Sequence, residues 1–339
     1  MKAIAPGKLI LSGEHAVVYG KPAIAMAIDR AAVFEILPRK DSGIAFDLPQ
    51  GAGIRSEESF TLLALRDLKR RIDRKYRRFL AGEIGIRDVV AMPADLFRFA
   101  FINALDGLHR TLDSGLCLRL RSGIPAGCGL GSSAATILSE LRALGHYLRV
   151  EFRPDWYYEY SLEVEKLQHG RPSGVDTYVS LHGGCARFHA GAARPLPLLR
   201  LRTFLVQTGV PETTTGECVE AVRRGFSRSA IWSEFEGVTN ALEGALRDND
   251  ETEIRRLVRE NNRLLCAIGV VPEKVRRFVA DVEARGGAAK VCGAGATDGE
   301  NAGAVLLFAD RAPRELCARY GYDVSPVRGD PLGTRIVGA

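Results

Sequence analysis

Gly123-Ile124-Pro125-Ala126-Gly127-Cys128-Gly129-Leu130-Gly131-Ser132-Ser133-Ala134-Ala135 is the stretch that decides how this chain folds. Gly127, Gly129 and Gly131 stand at alternate positions, so the backbone can turn its N–H groups inward with no Cβ in the way. After Ser132 and Ser133, Leu138, Leu141 and Leu144 recur at helical spacing and predict a helix ending near Gly145. The first turn of such a helix carries unpaired N–H donors and the positive end of the helix dipole. Turn and helix together would hold an anion of phosphate size. The residues alone leave a second reading open, a glycine-rich turn with an ordinary serine N-cap. No Gly-Lys-Ser/Thr closes the segment and no G-x-G-x-x-G runs through it, which argues against a P-loop enzyme and a dinucleotide fold.

Working outward, Cys117-Leu118-Arg119-Leu120-Arg121 alternates as a strand leading into the loop. Residues 8–37 read as strand, loop and strand, and 41–56 as a turn-rich connection. Between Leu62 and Leu80 the apolar residues Leu65, Leu68, Ile72 and Phe79 predict an amphipathic helix. Its other positions, from Arg66 to Arg78, form the most basic run of the chain. That run reads first as a solvated face, and more sharply as a rim gathering anionic substrates. Downstream, Pro154 opens a helix with Trp156, Tyr160, Leu162 and Leu167 on its apolar stripe, stopping at His169-Gly170. The second half reads as a strand at 203–208, long helices over 216–268 and a helix at 272–284. A strand at 289–292, a second glycine loop, a strand at 304–308 and a helix at 311–319 complete it. Strands and helices mix without a strict βαβ alternation, which favours an α+β fold.

The 339 residues suffice for two packed lobes or one large domain. An apolar fraction of 46% and a charged fraction of 26% are ordinary for globular chains, which excludes a disordered or fibrous class. The net charge of +6 suits an anionic substrate and, with no accompanying recognition motif, predicts no nucleic-acid partner. The seven cysteines are odd in number and lack a C-x-x-C pair, so neither a disulfide framework nor a zinc site is expected. Pro6-Gly7-Lys8 interrupts any apolar signal region, and no apolar stretch approaches the roughly 20 residues of a membrane span. A soluble, cytoplasmic protein is the expectation, with a homodimer left open.

Three segments carry a resemblance to a known family. Pro125-x-Gly127-x-Gly129-Leu130-Gly131-Ser132-Ser133-Ala134-Ala135 resembles the ATP-binding motif of the GHMP kinase superfamily. The run Ala5-Pro6-Gly7-Lys8-Leu9-Ile10-Leu11-Ser12-Gly13-Glu14-His15-Ala16-Val17-Val18-Tyr19-Gly20-Lys21-Pro22 is similar to the pattern of its mevalonate kinases. So is Glu165-Lys166-Leu167-Gln168-His169-Gly170-Arg171-Pro172-Ser173-Gly174-Val175-Asp176. The resemblance implies a two-lobed α+β GHMP kinase fold. An N-terminal ATP-binding lobe over 1–180, with a ribosomal-S5-like region, would precede a ferredoxin-like C-terminal lobe over 181–339.

It further implies ATP-dependent phosphorylation of an alcohol, with mevalonate as the expected small-molecule substrate. A kinase for phosphomevalonate or another small acidic alcohol is the alternative. By resemblance Asp176, read as a loop residue, orients or deprotonates the substrate hydroxyl, and Lys8 stabilises it. Pro125, Gly127, Gly129, Leu130, Gly131, Ser132, Ser133 and Ala134 would bind the nucleotide. Ser133 and Glu165 would hold Mg²⁺, a cation that takes few hard oxygen donors beside phosphates. Glu14, His15 and Thr214 match positions near the substrate. A fourth segment, Lys290-Val291-Cys292-Gly293-Ala294-Gly295-Ala296, starts as the family does. It then departs, with Thr297-Asp298-Gly299-Glu300-Asn301 where further glycines are expected. Asp298 and Glu300 would oppose phosphates unless they point outward or meet a cation.

Overall fold

The computed structural model describes residues 1–48, 59–170 and 172–338. Part of the turn-rich connection expected over 41–56, and Arg171 of the third quoted segment, lie outside the described residues. The chain opens with two long strands, β1 (Lys2–Ser12) and β2 (Ala23–Pro38), joined through a 3-10 turn at Ala16–Tyr19. Next come β3 (Ile44–Asp47), β4 (Ser59–Phe60), α1 (Leu62–Leu80), a 3-10 turn at Ile86–Asp88, α2 (Pro93–Gly107) and β5 (Leu116–Ser122). The helices α3 (Ser132–Tyr147), α4 (Pro154–His169) and α5 (Val175–His182) precede a hairpin of β6 (Cys185–His189) and β7 (Ala192–Leu196). Then follow β8 (Thr203–Gln207), α6 (Thr215–Phe226), α7 (Ile231–Asp248), α8 (Glu251–Ala267) and α9 (Glu273–Glu283). The chain closes with β9 (Ala288–Val291), β10 (Ala304–Phe308), α10 (Arg314–Tyr320), β11 (Asp323–Pro326) and β12 (Arg335–Val337).

An eight-stranded sheet runs β12-β1-β2-β5-β3-β4, with β6 pairing β2 and β7. A four-stranded sheet runs β11-β8-β10-β9. Residue 180, the expected lobe division, falls inside α5, and β6 pairs back on to β2. The continuous apolar run Leu9-Ile10-Leu11 follows from where β1 sits, since a strand covered on both faces need not alternate with polar residues. Leu9, Leu11, Ile24, Met26 and Ile28 enter the large core, which also takes Ile137 and Leu138 of α3. Ile10, Ala25 and Ala27 point the other way, on to Val175 and Val179 of α5 and Phe188.

The amphipathic reading of α1 holds over its whole length, with Leu65, Leu68 and Ile72 buried and Thr61 capping it by accepting from Ala64 N–H. Two helices escape a periodicity reading. In α2 most positions are buried, among them Phe99, Ala100, Phe101 and Ile102, so no polar face marks the period. The short α5 follows Pro172-Ser173-Gly174 directly, and Asp176, expected in a loop, lies in its first turn. The β6–β7 hairpin turns through Ala190 and Gly191, with φ of 51° and 78°, the positive pair that a tight two-residue turn requires. Among the described residues no helix is long and apolar enough to cross a membrane.

One core group works against the fold. Glu140 of α3 is fully buried, neither carboxylate oxygen has a hydrogen-bond partner among the described residues, and burial raises its pKa well above the ordinary value. An unpartnered buried polar group costs about 1–3 kcal/mol. Glu140→Met, which keeps the volume and removes the orphan oxygens, should therefore raise the unfolding free energy by about 1–3 kcal/mol at pH 7 in urea titrations.

Candidate active site

The glycine turn is built as its sequence suggests, but its cap is not a serine. Gly127, Gly129 and Gly131 have φ of 70°, 77° and 70°, and Gly131 occupies the N-cap of α3 with no side-chain cap bond. The first N–H groups of α3 therefore have no side-chain acceptor from the cap residue, unlike a serine-capped turn. A Cβ on Gly131 would stand 2.8 Å from Cγ of Lys8 and 3.7 Å from Oδ2 of Asp176. That single measurement brings together the turn, the lysine and the aspartate.

Lys8 reaches this point from inside β1. The β1–β2 register slips between Pro6 and Lys8, a bulge that re-aims the side chain. The Lys8 backbone N–H donates to the carbonyl of Leu130 at 2.9 Å, pinning the strand to the glycine turn. Its Nζ then lies 3.1 Å from Oδ1 of Asp176, with the lysine side chain 4% exposed and the aspartate 35% exposed. The ammonium thus comes up from below, and the carboxylate keeps an open side.

Glu165 of α4 lies close to this pair. Its buried carboxyl accepts from the Thr177 hydroxyl at 2.8 Å. Burial, reinforced by the negative charge of Asp176, pushes its pKa up to about 8, against the opposing pull of Thr177 and Lys8. Ser133 donates to Oε1 of Gln168 at 3.2 Å, so the start of α3 meets the last turn of α4 on the Glu165 side. His169 is solvent-accessible within electrostatic reach of Asp176 and Lys8.

The expected substrate residues have different surroundings. Glu14 is buried in an ion pair with Lys290, and Asn261 Nδ2 donates to its second oxygen at 3.2 Å. Lys290 also donates to the Ile10 carbonyl at 3.0 Å, while Ser12 bonds Asn261 at 2.9 Å and Thr239 at 2.7 Å. His15 places Nε2 2.9 Å from the Ala294 carbonyl, which can only accept, so Nε2 carries the proton and the partnerless Nδ1 is an acceptor. Burial lowers the His15 pKa and keeps the ring neutral. Thr214 stands apart from these, exposed at the N-cap of α6 in a capping box with Glu217.

The family described as GHMP kinases N terminal domain matches residues 98–184. The mevalonate kinase of Thermococcus onnurineus is 30% identical over 308 residues, covering 86% of this chain and 86% of its own. That of Pyrococcus horikoshii is 30% identical over 348 residues, covering 98% and 95%. The chain belongs to the GHMP kinase family. Its fold matches the crystal structure of the Methanococcus jannaschii mevalonate kinase with a TM-score of 0.78 at 26% identity, covering 97% of this chain and 98% of that one. This GHMP kinase is a small-molecule kinase with the two-lobed α+β fold of its relatives.

Motif reading did not give Lys290 of this GHMP kinase a role, because a lysine inside an apolar strand is visible as an ion-pair partner only once β9 lies against β1. The departures in the fourth segment also find partners. Glu300 points outward to Lys274 at 2.9 Å, and Asp298 accepts from Thr297 at 3.1 Å. A Cβ on Gly129 would stand 2.9 Å from the Cys292 carbonyl, so the first and fourth segments touch backbone to backbone.

Removing one member of a fully buried ion pair strands the other charge at about 3–5 kcal/mol. Lys290→Met should cost that much in urea unfolding, and adding Glu14→Leu should return more than half of it. A second prediction follows from Glu165. A folded-state pKa raised to about 8 means stability is full below the ordinary carboxyl range and is lost as pH rises through about 8. Glu165→Gln should leave the melting temperature almost unchanged at pH 5 and raise it at pH 8–9.

Proposed function

We propose that this protein transfers the γ-phosphoryl group of ATP to the primary hydroxyl of mevalonate, giving 5-phosphomevalonate and ADP. The observation that carries the reading is the Lys8–Asp176 pair lying against Gly131 at the mouth of an α3 helix whose first N–H groups are free of a cap. Membership of the family, and the mevalonate kinases among its relatives, support the choice of donor and alcohol.

The turn Pro125–Ala134 receives the phosphates: backbone N–H groups of Gly127, Gly129, Leu130, Gly131, Ser132 and Ser133 supply donors that need no side chain. Lys8 pairs with Asp176 and adds positive charge where the transferring group becomes more negative. Asp176 aligns the alcohol and accepts its proton as the oxygen bonds to the γ-phosphorus and the bond to the ADP oxygen breaks. Its dominant part is alignment, since the Lys8 ammonium 3.1 Å away fixes where the carboxylate points.

The donor set beside the turn fits Mg²⁺: the Ser133 hydroxyl and the Glu165 carboxyl are hard oxygens on neighbouring helix turns, joined through Gln168. When bound, that ion neutralises phosphate oxygens. His15, with its acceptor nitrogen, and Glu14 beside it would border the alcohol substrate; Thr214 would stand at the outer edge. The lobes on either side of the cleft would be those over 1–180 and 181–339, and the free cysteines suit a reducing cytoplasm.

ADP release measured across a panel of alcohols tests the substrate: turnover of mevalonate is expected, and turnover of phosphomevalonate, homoserine or a sugar alone would overturn it. Asp176→Asn should lower kcat by about 10²–10³-fold while nucleotide affinity, followed by fluorescence titration, changes little.

A further inference from the structure

Two separate arms flank the Lys8–Asp176 pair. On one side α1 crosses the end of α4, where the Tyr76 hydroxyl donates to the Gly170 carbonyl at 3.2 Å. A Cβ on Gly170 would stand 3.2 Å from the Phe79 ring, so this arm is closely seated. On the other side the loop after β8 lies over the glycine turn, with Val210 3.6 Å from where a Cβ on Gly127 would be. That loop is braced by the departing residues of the fourth segment: Thr297 N–H donates to Thr213 at 3.4 Å and Asn301 to the Val210 carbonyl at 3.5 Å. It ends at Thr214, the cap of α6.

One side chain joins the arms. Arg87, on the 3-10 turn Ile86–Asp88 that follows α1, donates to Oγ1 of Thr214 at 3.0 Å and meets Oε2 of Glu217 at 2.5 Å. We infer that Arg87 is a strap across the mouth of the site, a positioning residue that holds the 209–214 loop and the start of α6 over bound nucleotide and releases them for exchange. The inference rests on the kinase reading above.

Three features fit a strap better than a piece of the fold. The capping box is complete without Arg87, since Glu217 accepts from Thr214 N–H at 2.9 Å and Thr214 accepts from Glu217 N–H at 3.4 Å. The Arg87 and Glu217 side chains are 62% and 49% exposed, and exposed ion pairs are weak and screened by salt. A contact made and broken each turnover should be of that kind. With Arg87 open, Thr297 and Asn301 still tie the loop to the four-stranded sheet, so opening is confined to the 209–217 arm and leaves β8 and β10 paired.

Arg87→Ala and Glu217→Gln test this, because glutamine keeps a capping box while losing the charge. Hydrogen exchange of the 209–217 amides in ligand-free protein should speed up about 3–10-fold in each variant, and no further in the double variant. The KM for ATP should rise about 3–10-fold with kcat within twofold, and 0.5 M KCl should bring the wild-type protein toward the variants. Unchanged exchange in Arg87→Ala, or additive effects in the double variant, would overturn the strap. Exchange needs no substrate, so an unreactive wild type would defeat the kinase reading and leave this test standing.

Discussion

The ion pair of Lys8 with Asp176 is the constraint on which the rest of the structure depends, and it exists because Gly131 has no Cβ. A side chain there would occupy the space of the lysine stem, 2.8 Å away, and crowd the aspartate. The same closeness recurs one residue earlier in β1, where a Cβ on Gly7 would fall 2.8 Å from the Leu130 carbonyl. Strand and glycine turn are therefore pressed together over consecutive residues, with a backbone hydrogen bond from Lys8 between them. Close packing, that hydrogen bond and the ion pair with Asp176 together hold the Lys8 ammonium beneath the glycine turn.

Charge around this point is distributed unevenly. Asp176 has the lysine directly against it, whereas Glu165 is buried behind with a hydroxyl for company. Burial first, and the negative charge of Asp176 second, push the Glu165 pKa up to about 8, which favours its protonated form at neutral pH. Glu165 lies on the side on which Ser133 and Gln168 meet.

A second buried pair supports the first from the far side of β1. Lys290 of β9 ties Glu14 and the Ile10 carbonyl to the four-stranded sheet, and Asn261 and Thr239 continue the link to α8 and α7. The segment after β1 is also clamped from outside, with Tyr19 stacked on Trp232 at 4.0 Å between ring centroids. Thr297 and Asn301 brace the loop after β8, and Glu300 makes a surface ion pair with Lys274, so this wall is held by side chains away from the pair at the centre.

The sequence by itself determined what nearest neighbours control. Alternate glycines before a helix, the apolar spacing of α1, and the quoted segments of the family all follow from backbone freedom and short-range periodicity. The helices α2 and α5 stayed hidden because one is buried on nearly every face and the other is two turns long. The place of Asp176 in a helix, the bonding of Glu14 to a lysine 276 residues away and the clasp of Arg87 on α6 were decided only by the tertiary structure. A side chain's partner depends on which strands become neighbours and how much water they exclude, and neither quantity is local to the chain.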